Sequence, residues 1–511
     1  MLYAVNFCFA HLMHSRRPSA LRHSVIALGL SLALSACTNI PTLPDQHVSL
    51  ATNWAQQHAL LAQTPDIDPA SWWTAFHDPV LDTLVAKTQA QNLSLAQAAY
   101  RLHSARALIQ QAVAAGLPEI TAKAETQHQR KLSSSHNASP LMDPTVDGDL
   151  APDSERTTGY YQAGFDAAWE LDLFGRVSSQ RDSAHSAAGV AYSDLRHVHV
   201  SVIAEVVRNY VELRAQQQRL ALTEQNLADQ TTLLQRTQER HAAGLIADYE
   251  KDQIHADLIS LQQQQLQLQQ ALQQTLLRLA VLTGESSVDT ELRALSPLPN
   301  PQQLGFSMLP AELLRVRPAI QQAEFKVTQA SAELGVAQAD LYPRLRLLGN
   351  LSISDNLTGK PLLGRTEIAG GSFSLNIPLL DWGARRAVVN AREAQLAEAI
   401  LAYREAVLEG VEETENALLA IATHTTAVQQ AQQKLAFTQH ALNRAQELYQ
   451  QGMIPLHELL DASLQKRRSQ MEVVDAQAEQ ANAVIALHKA VGGAALPASL
   501  LDMQSALHPR S

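Results

Sequence analysis

The longest helical pattern in the chain runs from Gly175 to Leu282 and contains no proline. Its leucines fall on a seven-residue spacing, first at Leu213, Leu220, Leu227 and Leu234 and then at Leu258, Leu272 and Leu279. A heptad spacing lays an apolar stripe along a helix that packs against another helix. The pattern is interrupted at Gly244, so we predict two long antiparallel helices with a tight turn there. The first, from Arg176 to about Ala243, would be about 100 Å long.

Four shorter segments alternate apolar and polar residues and predict strands. The clearest runs from Tyr161 to Leu173, with aromatic, Ala and Leu residues on one face and Gln, Asp and Glu on the other. A weaker alternation begins at Ile120, and two more lie at Arg344–Ser354 and Gly371–Leu380. A strand of about ten residues with one apolar and one polar face suits a lipid-facing barrel. Alternation alone fits a strand of a soluble sandwich at least as well.

An internal repeat groups these elements into two copies. Identities recur at a shift of 208 residues, as in the pairs Phe165 and Phe373, Leu171 and Leu379, Gly175 and Gly383, and Gly244 and Gly452. Before the polar loop at 131–158 the shift is 225, so that Pro118 matches Pro343. Each copy therefore reads helix, strand, loop, strand, very long helix, turn and helix.

The strand number restricts how such a chain could enter a membrane. About eight strands are the minimum for a closed barrel, and an open sheet edge cannot face hydrocarbon. Several copies of the chain would therefore have to complete one shared barrel with closed cyclic symmetry. The predicted fold class is mostly α with a small β part: two repeats of long antiparallel helical hairpins, plus four strands per chain that contribute to the shared barrel.

The N-terminus predicts a secretory signal over residues 1–36. Three arginines precede an apolar stretch at 25–34, and the stretch ends in Leu34-Ser35-Ala36-Cys37. A cysteine directly after Leu-Ser-Ala resembles the bacterial lipobox, which implies a lipid anchor on Cys37. The next residue is Thr38 and not the aspartate that marks inner-membrane retention in related lipoproteins, so the resemblance favours sorting to the outer membrane. A plain signal peptide with a chance cysteine is the alternative, and either Met1 or Met13 is the start.

The predicted organisation after the signal peptide has five parts. They are an extended tail over 37–80, a first repeat over 81–296, a Pro-rich linker over 297–308, a second repeat over 309–493 and a disordered tail over 494–511. The strand pairs fall at 117–173 and 344–380. Helical periodicity also predicts one helix from Leu81 to about Ala115, and the aromatics Trp72, Trp73 and Phe76 are expected to anchor the tail.

Composition narrows the function classes. The net charge is −11 with 17% charged residues, which argues against a nucleic-acid partner because that would favour a basic stripe. The only two cysteines lie near the N-terminus, and the 19 histidines form no metal-binding run. Neither a nucleophile elbow nor a phosphate-binding loop occurs. We therefore expect no catalysis, no cofactor and no metal site.

Several longer motifs resemble the TolC-like outer membrane efflux factors, in the lipoprotein branch typified by OprM and NodT. They are Trp72–Pro79, Trp169–Arg176, Leu279–Gly284, Leu309–Ile320, Gly335–Pro343 and Leu487–Gly493. The resemblance implies a homotrimer with a twelve-stranded barrel in the outer membrane and a twelve-helix periplasmic tunnel. Such a duct passively conducts small molecules delivered by an inner-membrane pump and a periplasmic adaptor, or membrane fusion protein. The main alternative is a lipid-anchored periplasmic coiled-coil scaffold, and a secreted wall-active enzyme is another.

The resemblance also implies where the functional residues lie. Adaptor docking falls on the two hairpin turns, at Gly244, Leu245, Gly452 and Met453. The periplasmic gate falls on Glu458, Asp461, Tyr449 and Glu250, although Ile454 replaces the arginine that closes the gate in TolC. The structural alternatives are simple helix C-caps at the two glycines and an acidic helix start that favours the helix dipole.

Overall fold

The computed structural model describes residues 69–130, 157–287, 289–300, 316–356, 366–493 and 496–501. The predicted signal peptide, Cys37 and most of the linker lie outside these residues. Contacts divide the chain into two compact units, which we call the strand unit and the helical unit. The strand unit comprises 110–183 and 330–396, and the helical unit comprises the described parts of 45–109, 184–329 and 397–511.

Long helices dominate the described residues, and four strands accompany them. In chain order the elements are a 3₁₀ segment at Pro69–Phe76, α1 (Pro79–Gln91), α2 (Leu93–Ala114), β1 (Glu119–Arg130), β2 (Thr157–Leu171), α3 (Arg176–Ala242), α4 (Asp248–Leu282), a 3₁₀ turn at Thr290–Arg293, α5 (Pro318–Ala339), β3 (Arg344–Asn356), β4 (Thr366–Asn376), α6 (Ala384–Gln450), α7 (Leu456–Val491) and α8 (Ala498–Leu501). Among the described helices, none combines the length and apolar character needed to cross a membrane.

The four strands form one antiparallel sheet in the order β1-β2-β3-β4. The alternating pattern of each strand sets the two faces, because successive side chains point to opposite sides. In β2, for example, Phe165 lies opposite Ala122 of β1 and Leu351 of β3. The edges of the described sheet are β1 and β4.

The predicted pair of long helices per copy is confirmed, and its antiparallel direction is visible in the polar contacts. In the first hairpin Arg278 of α4 pairs with Glu205 of α3, whereas Gln265 lies 3.4 Å from Glu224. In the second hairpin Lys434 of α6 contacts Glu472 of α7 at 2.7 Å. The heptad leucines do face the packed side, since Leu213 and Leu279 are fully buried.

One predicted helix is divided in two. The helix expected from Leu81 to about Ala115 breaks at Asn92, which separates α1 from α2. The Asn92 side-chain oxygen accepts from the backbone N–H of Ser94 at 2.9 Å and caps the start of α2. Its amide donates to the carbonyl of Leu282 at 2.7 Å, so the break also joins the first repeat's ends.

The aromatic anchor lies where the sequence places it, in the core of the helical unit. Trp72 and Phe76 are buried against a cluster that includes Val207 and Leu276. Asp78 and Pro79 set the start of α1. Asp78 is the N-cap, whose side chain accepts from the Val80 N–H at 2.9 Å, and Pro79 is the first residue of the helix.

A buried polar chain continues from that cap. The Tyr210 hydroxyl donates to Asp78 at 2.5 Å, and Arg214 donates to the Tyr210 oxygen at 3.0 Å. Arg214 is almost fully buried and donates again to the carbonyl of Ala294 at 2.8 Å. The cap, helix α3 and the end of the first repeat are thus held by one hydrogen-bonded network.

The C-terminal segment is more ordered than predicted. Ala498–Leu501 is a short helix, Leu500 packs against a cluster that includes Leu102, and the Leu501 carbonyl accepts from Arg106 at 3.1 Å. The prediction of disorder from residue 494 is therefore wrong for 496–501. Apolar burial of the leucines in this segment is the physical reason.

Near the end of α7, His488 stacks on Trp72 with ring centroids 4.9 Å apart and planes 7° from parallel. Burial lowers the pKa of His488 to about 4. Its Nε2 atom has no hydrogen-bond partner among the described residues. His488 is therefore held neutral in a site that cannot solvate its charged form.

We predict that acid destabilises this packing. The unfolded pKa is near 6.5 and the folded pKa is lower, so the unfolded state binds the proton first as the pH falls. The contribution of His488 is complete above about pH 6.5 and is lost as the pH falls through the folded pKa. At pH 5 this group alone would cost about 2 kcal/mol. Substitution His488→Phe keeps the ring and removes the titration, and should narrow the difference in Tm between neutral and acidic buffer, measured by circular dichroism in detergent.

The exposed His440 on α6 supplies the matched control. The variant His440→Gln should keep the full acid sensitivity of the original chain. Equal acid sensitivity of His488→Phe and the original chain would show that His488 is not a buried neutral group.

Candidate functional site

The two hairpin turns have the same backbone construction. Gly244 and Gly452 adopt positive φ values of 69° and 72°. In each turn the glycine N–H bonds back three residues and the next N–H bonds back five residues, from Leu245 to Arg240 and from Met453 to Leu448, both at 2.9 Å. This is the Schellman C-cap, which needs a left-handed residue. A Cβ at either glycine would meet nothing within 4 Å, so backbone conformation and not space requires glycine.

Each turn presents one large apolar side chain to the outside. Leu245 and Met453 follow the glycines and are each exposed over about two thirds of their surface. The C-cap explanation and the docking explanation are therefore compatible: the cap fixes the turn and leaves its next side chain uncovered. The two exposed side chains occupy equivalent positions of the repeat, so both turns offer a partner the same kind of apolar contact.

The first turn carries an ionic cluster that the sequence reasoning missed. His241 Nε2 lies 2.8 Å from Asp248 Oδ1, and Lys251 Nζ lies 2.9 Å from the same oxygen. The hydrogen bond and positive charge of Lys251, with the charge of His241, lower the pKa of Asp248. A basic last turn of α3 followed by an acidic first turn of α4 was the available signal, since both suit the helix dipole.

Tyr449, one of the predicted gate residues, joins the two hairpins. Arg240 at the end of α3 donates to the Tyr449 hydroxyl and lies 5.5 Å from the centre of its ring. The ring also packs beside the cluster formed by Leu234, Ile254, Leu258, Leu456 and Leu460. Glu250 is half-buried and makes no polar side-chain contact among the described residues. The structure thus brings Tyr449 to Arg240, which the sequence reasoning did not select, and not to Glu250.

The acidic pair of the gate prediction lies just beyond the second turn. Glu458 and Asp461 are exposed and stand three residues apart on α7, whereas Leu456 and Leu460 of the same helix are buried. The buried leucines orient the helix so that both carboxylates point away from the packed side. Within the described part of the chain neither carboxylate has a cationic partner.

Farther from the turns, two more polar contacts link the hairpins. Arg219 of α3 pairs with Asp475 of α7 at 2.8 Å. Arg467 of α7 donates to Gln230 of α3 at 3.2 Å. Burial lowers the pKa of Arg467, although Asp257 and Asp229 oppose this effect. Together with Arg240 and Tyr449, these contacts connect the first hairpin to the second at three levels.

The sheet of the strand unit has one apolar face and one polar face. The apolar side chains Ile120, Phe165, Leu351, Phe373 and Leu375 are exposed, so nothing in the described chain covers them. The other face carries ion pairs, with Lys123 2.6 Å from Asp166 and Arg346 3.3 Å from Glu170. Leu348 and Ile368 are its large apolar exceptions. A soluble sandwich would bury the apolar face, so the exposed face favours lipid contact over that alternative.

Among the described residues no group of three or more His, Cys, Asp or Glu side chains is placed to hold a metal ion. The polar groups of the site are instead dispersed in pairs. Ion pairs and exposed carboxylates can attract or repel charged solutes, and the described site residues include no pairing of nucleophile and base. The arrangement is therefore suited to the passage of solutes and to contact with partner proteins.

Comparison with known proteins agrees with this geometry. The family model described as "Outer membrane efflux protein" matches residues 84–285 and 309–493. The chain is 28% identical to Nodulation protein T of Rhizobium leguminosarum bv. trifolii over 466 residues, which is 90% of this chain and 95% of that protein. It is 31% identical to the pyoverdine export outer membrane protein OpmQ of Pseudomonas putida over 91% of this chain and 96% of OpmQ.

A solved structure of the outer-membrane channel OprN has the same fold. The TM-score is 0.77 at 28% identity, and the match covers 89% of this chain and all of the OprN chain. The family match spans well over half of the sequence, and it includes both hairpin turns and all four strands. The chain therefore belongs to the outer membrane efflux protein family.

Proposed function

We propose that the chain is the exit duct of a tripartite efflux system, which passes small molecules across the outer membrane without altering them. The observation that carries this proposal is the two-faced sheet, apolar and uncovered on one side and charged on the other. A coiled-coil scaffold would have no use for exposed Phe165 and Phe373. Relatives named for pyoverdine export and toluene efflux point to small organic cargo, but their cargoes differ.

The duct requires more than one copy of the chain. In lipid every backbone donor and acceptor must be paired, and the described sheet has two open edges. Two copies would supply eight strands, whose interior is filled by side chains. Three copies supply twelve strands and are the smallest number that leaves a passage, which supports a homotrimer. The polar faces then line the passage and the apolar faces contact outer-membrane lipid.

The hairpin turns are the docking points for the periplasmic adaptor. Leu245 and Met453 are exposed beside rigid capped glycines, so their apolar side chains are displayed at fixed positions. The adaptor in turn connects the duct to an inner-membrane pump, which supplies the energy. Cys37 attaches the chain to the membrane by a lipid, as the lipobox resemblance implies.

The gate lies beside the second turn. Three copies of the acidic pair Glu458 and Asp461 form a ring of like charge, which attracts cations. Arg240 and Tyr449 hold the two hairpins together next to this ring, and so replace the arginine contact that Ile454 cannot make. Glu250 belongs to the same region as a further acidic group.

The first test concerns membrane insertion. The variant Cys37→Ser removes the lipid anchor but leaves the apolar faces of the strands, so the protein should still need detergent for extraction from outer membranes. The measurement is fractionation with and without detergent, followed by native mass spectrometry. Recovery of a fully water-soluble monomer would contradict the duct and favour the scaffold.

The second test concerns the adaptor. Replacing both Leu245 and Met453 by Asp should weaken adaptor copurification at least about tenfold, because a buried apolar side chain contributes about 1.5–3 kcal/mol. The matched control exchanges the two side chains, Leu245→Met with Met453→Leu, and should retain the adaptor. Equal adaptor recovery with all variants would remove the turns from the interface.

The third test concerns the gate. The double variant Glu458→Ala with Asp461→Ala should raise single-channel conductance in planar bilayers and reduce cation selectivity, because the charged constriction is removed.

The variant Tyr449→Phe keeps the packed ring but loses the hydroxyl. A hydrogen bond worth about 1 kcal/mol should shift the closed-to-open ratio roughly fivefold toward open.

Glu479 gives the control for the acidic pair, since it is an exposed acid on the same helix but far from the turn. The variant Glu479→Ala should conduct like the original protein. If conductance and selectivity are unchanged in the double variant, Glu458 and Asp461 are not the constriction.

A further inference from the structure

A cavity of about 440 Å³ lies in the helical unit, between the first hairpin and helix α7. Helices α3 and α4 form one wall of this cavity, and α7 forms the other. Asn226 of the first wall precedes Gly244 by 18 residues, which is about 27 Å along a helix, so the cavity is remote from the turns. Sites for small organic molecules have volumes of roughly 300–1,000 Å³, and this cavity falls within that range.

Asn226 supplies a buried amide to the cavity. The residue is only 4% exposed, and it lines the cavity wall. Within the described parts of the chain its side chain has no hydrogen-bond partner. Gln230, one turn further along α3, is also buried, but it donates to the carbonyl of Ile254 and accepts from Arg467. Because buried amides in proteins are nearly always hydrogen-bonded, the free amide of Asn226 indicates a missing partner.

Two successive arginines of α7 line the same cavity. Arg467 is half-buried and donates only to Gln230, at 3.2 Å. Arg468 is exposed and has no polar partner among the described residues. Burial lowers the pKa of Arg467, and the charges of Asp257 and Asp229 oppose this effect from a distance. A guanidinium has five N–H donors in a planar fork, so most donors of both arginines are unused.

An unpaired carboxylate lies on the wall that the first hairpin contributes. Asp257 of α4 is half-buried and forms no ion pair in the described chain, although its charge acts on Arg467. The other carboxylate of the lining, Glu472, is already bound by Lys434 at 2.7 Å. The cavity thus keeps a carboxylate and two guanidinium groups apart on different helices. A ligand that carries both charges would satisfy all three, because charge-assisted hydrogen bonds are the strongest polar contacts.

Apolar side chains fill the space between the charged groups. Leu261 of α4 and the pair Leu464 and Met471 of α7 line the cavity, and all three are half-buried. The flexible thioether of Met471 adapts readily to the shape of a bound molecule. Gln264 is exposed and also belongs to the lining, so the cavity opens to water and a ligand can enter.

We propose that this cavity binds a small zwitterion, an apolar molecule that carries one carboxylate and one ammonium group. The carboxylate accepts from Arg467 and Arg468, and the ammonium donates to Asp257. The amide of Asn226 completes the hydrogen bonding. An apolar α-amino acid has this chemistry. Such a ligand contacts α3, α4 and α7 at once and so ties the first hairpin to the second. The site belongs to the helical wall and does not depend on which molecules the proposed duct conducts.

Isothermal titration calorimetry on the full chain in detergent tests the site, with leucine as the probe. Two molecules of similar size separate the charges, because isocaproate lacks the ammonium group and isoamylamine lacks the carboxylate. Leucine should bind and raise the Tm. Each analogue should bind at least about tenfold more weakly, since it leaves one charge of the cavity unpaired. Absence of both binding heat and a Tm shift with leucine would overturn the proposal, as would an analogue that binds as tightly as leucine.

Two substitutions assign the charges to residues. Asp257→Asn keeps the shape of the side chain and removes its charge, so leucine should bind this variant no better than isocaproate does. Arg468→Gln should weaken leucine and isocaproate alike and leave isoamylamine unchanged. The matched control is Asp252→Asn, an exposed acid of α4 outside the cavity, which should bind leucine like the original chain.

The remaining outcomes are equally decisive. A preference for leucine over isocaproate that survives Asp257→Asn would show that the ammonium contact is wrong. If the Asp257 variant does not fold, Arg468→Gln decides, because Arg468 is exposed and its loss leaves the packing intact. A protein that conducts in planar bilayers but does not bind leucine loses only this site, and the duct stands.

Discussion

Unpaired backbone at the edges of the sheet is the constraint on which the rest of this protein depends. Water can satisfy an exposed strand edge, but hydrocarbon cannot. The four described strands expose apolar side chains on one face and leave β1 and β4 at open edges. A chain with this sheet reaches a stable state in a membrane only when identical edges complete each other. Oligomerisation is thus part of the fold. The internal repeat makes the joining of copies geometrically simple, because each edge strand resembles a strand of the other repeat copy that is paired on both sides within the sheet.

The helical unit solves a different problem, which is to hold two long hairpins in one arrangement. The apolar cluster around Trp72 gathers many of the buried side chains, and the network from Asp78 through Tyr210 to Arg214 fixes the relative positions of its parts. Near the turns the apolar cluster is smaller and polar contacts between hairpins take a larger share. Fewer buried contacts mean a lower cost of local opening, so the hairpin ends near the turns, where we propose the gate, are the ends best suited to move.

The two copies of the repeat have kept their backbone and diverged in side chains where function is expected. Both turns use the same glycine cap. His241 and Asp248 are in polar contact at the first turn, but their equivalents at the second are Tyr449 and Leu456. The first turn is closed by its own charges, whereas the second contributes Tyr449 to a contact with Arg240 of the other hairpin. A repeat of two identical copies would lack this asymmetric link.

Local periodicity in the sequence was sufficient for the long helices, the four strands, the faces of the sheet, the repeat and both glycine turns. These features depend on residues that are close together in the chain, so the spacing of apolar residues and glycines is enough to predict them. Only the tertiary structure decided that Asn92 divides a helix and that Leu500 of the C-terminal segment packs against the cluster with Leu102. It also decided that Tyr449 contacts Arg240 and not Glu250. Those outcomes join residues as far as 395 positions apart, and a periodic pattern states which side of an element is buried without stating what lies against it.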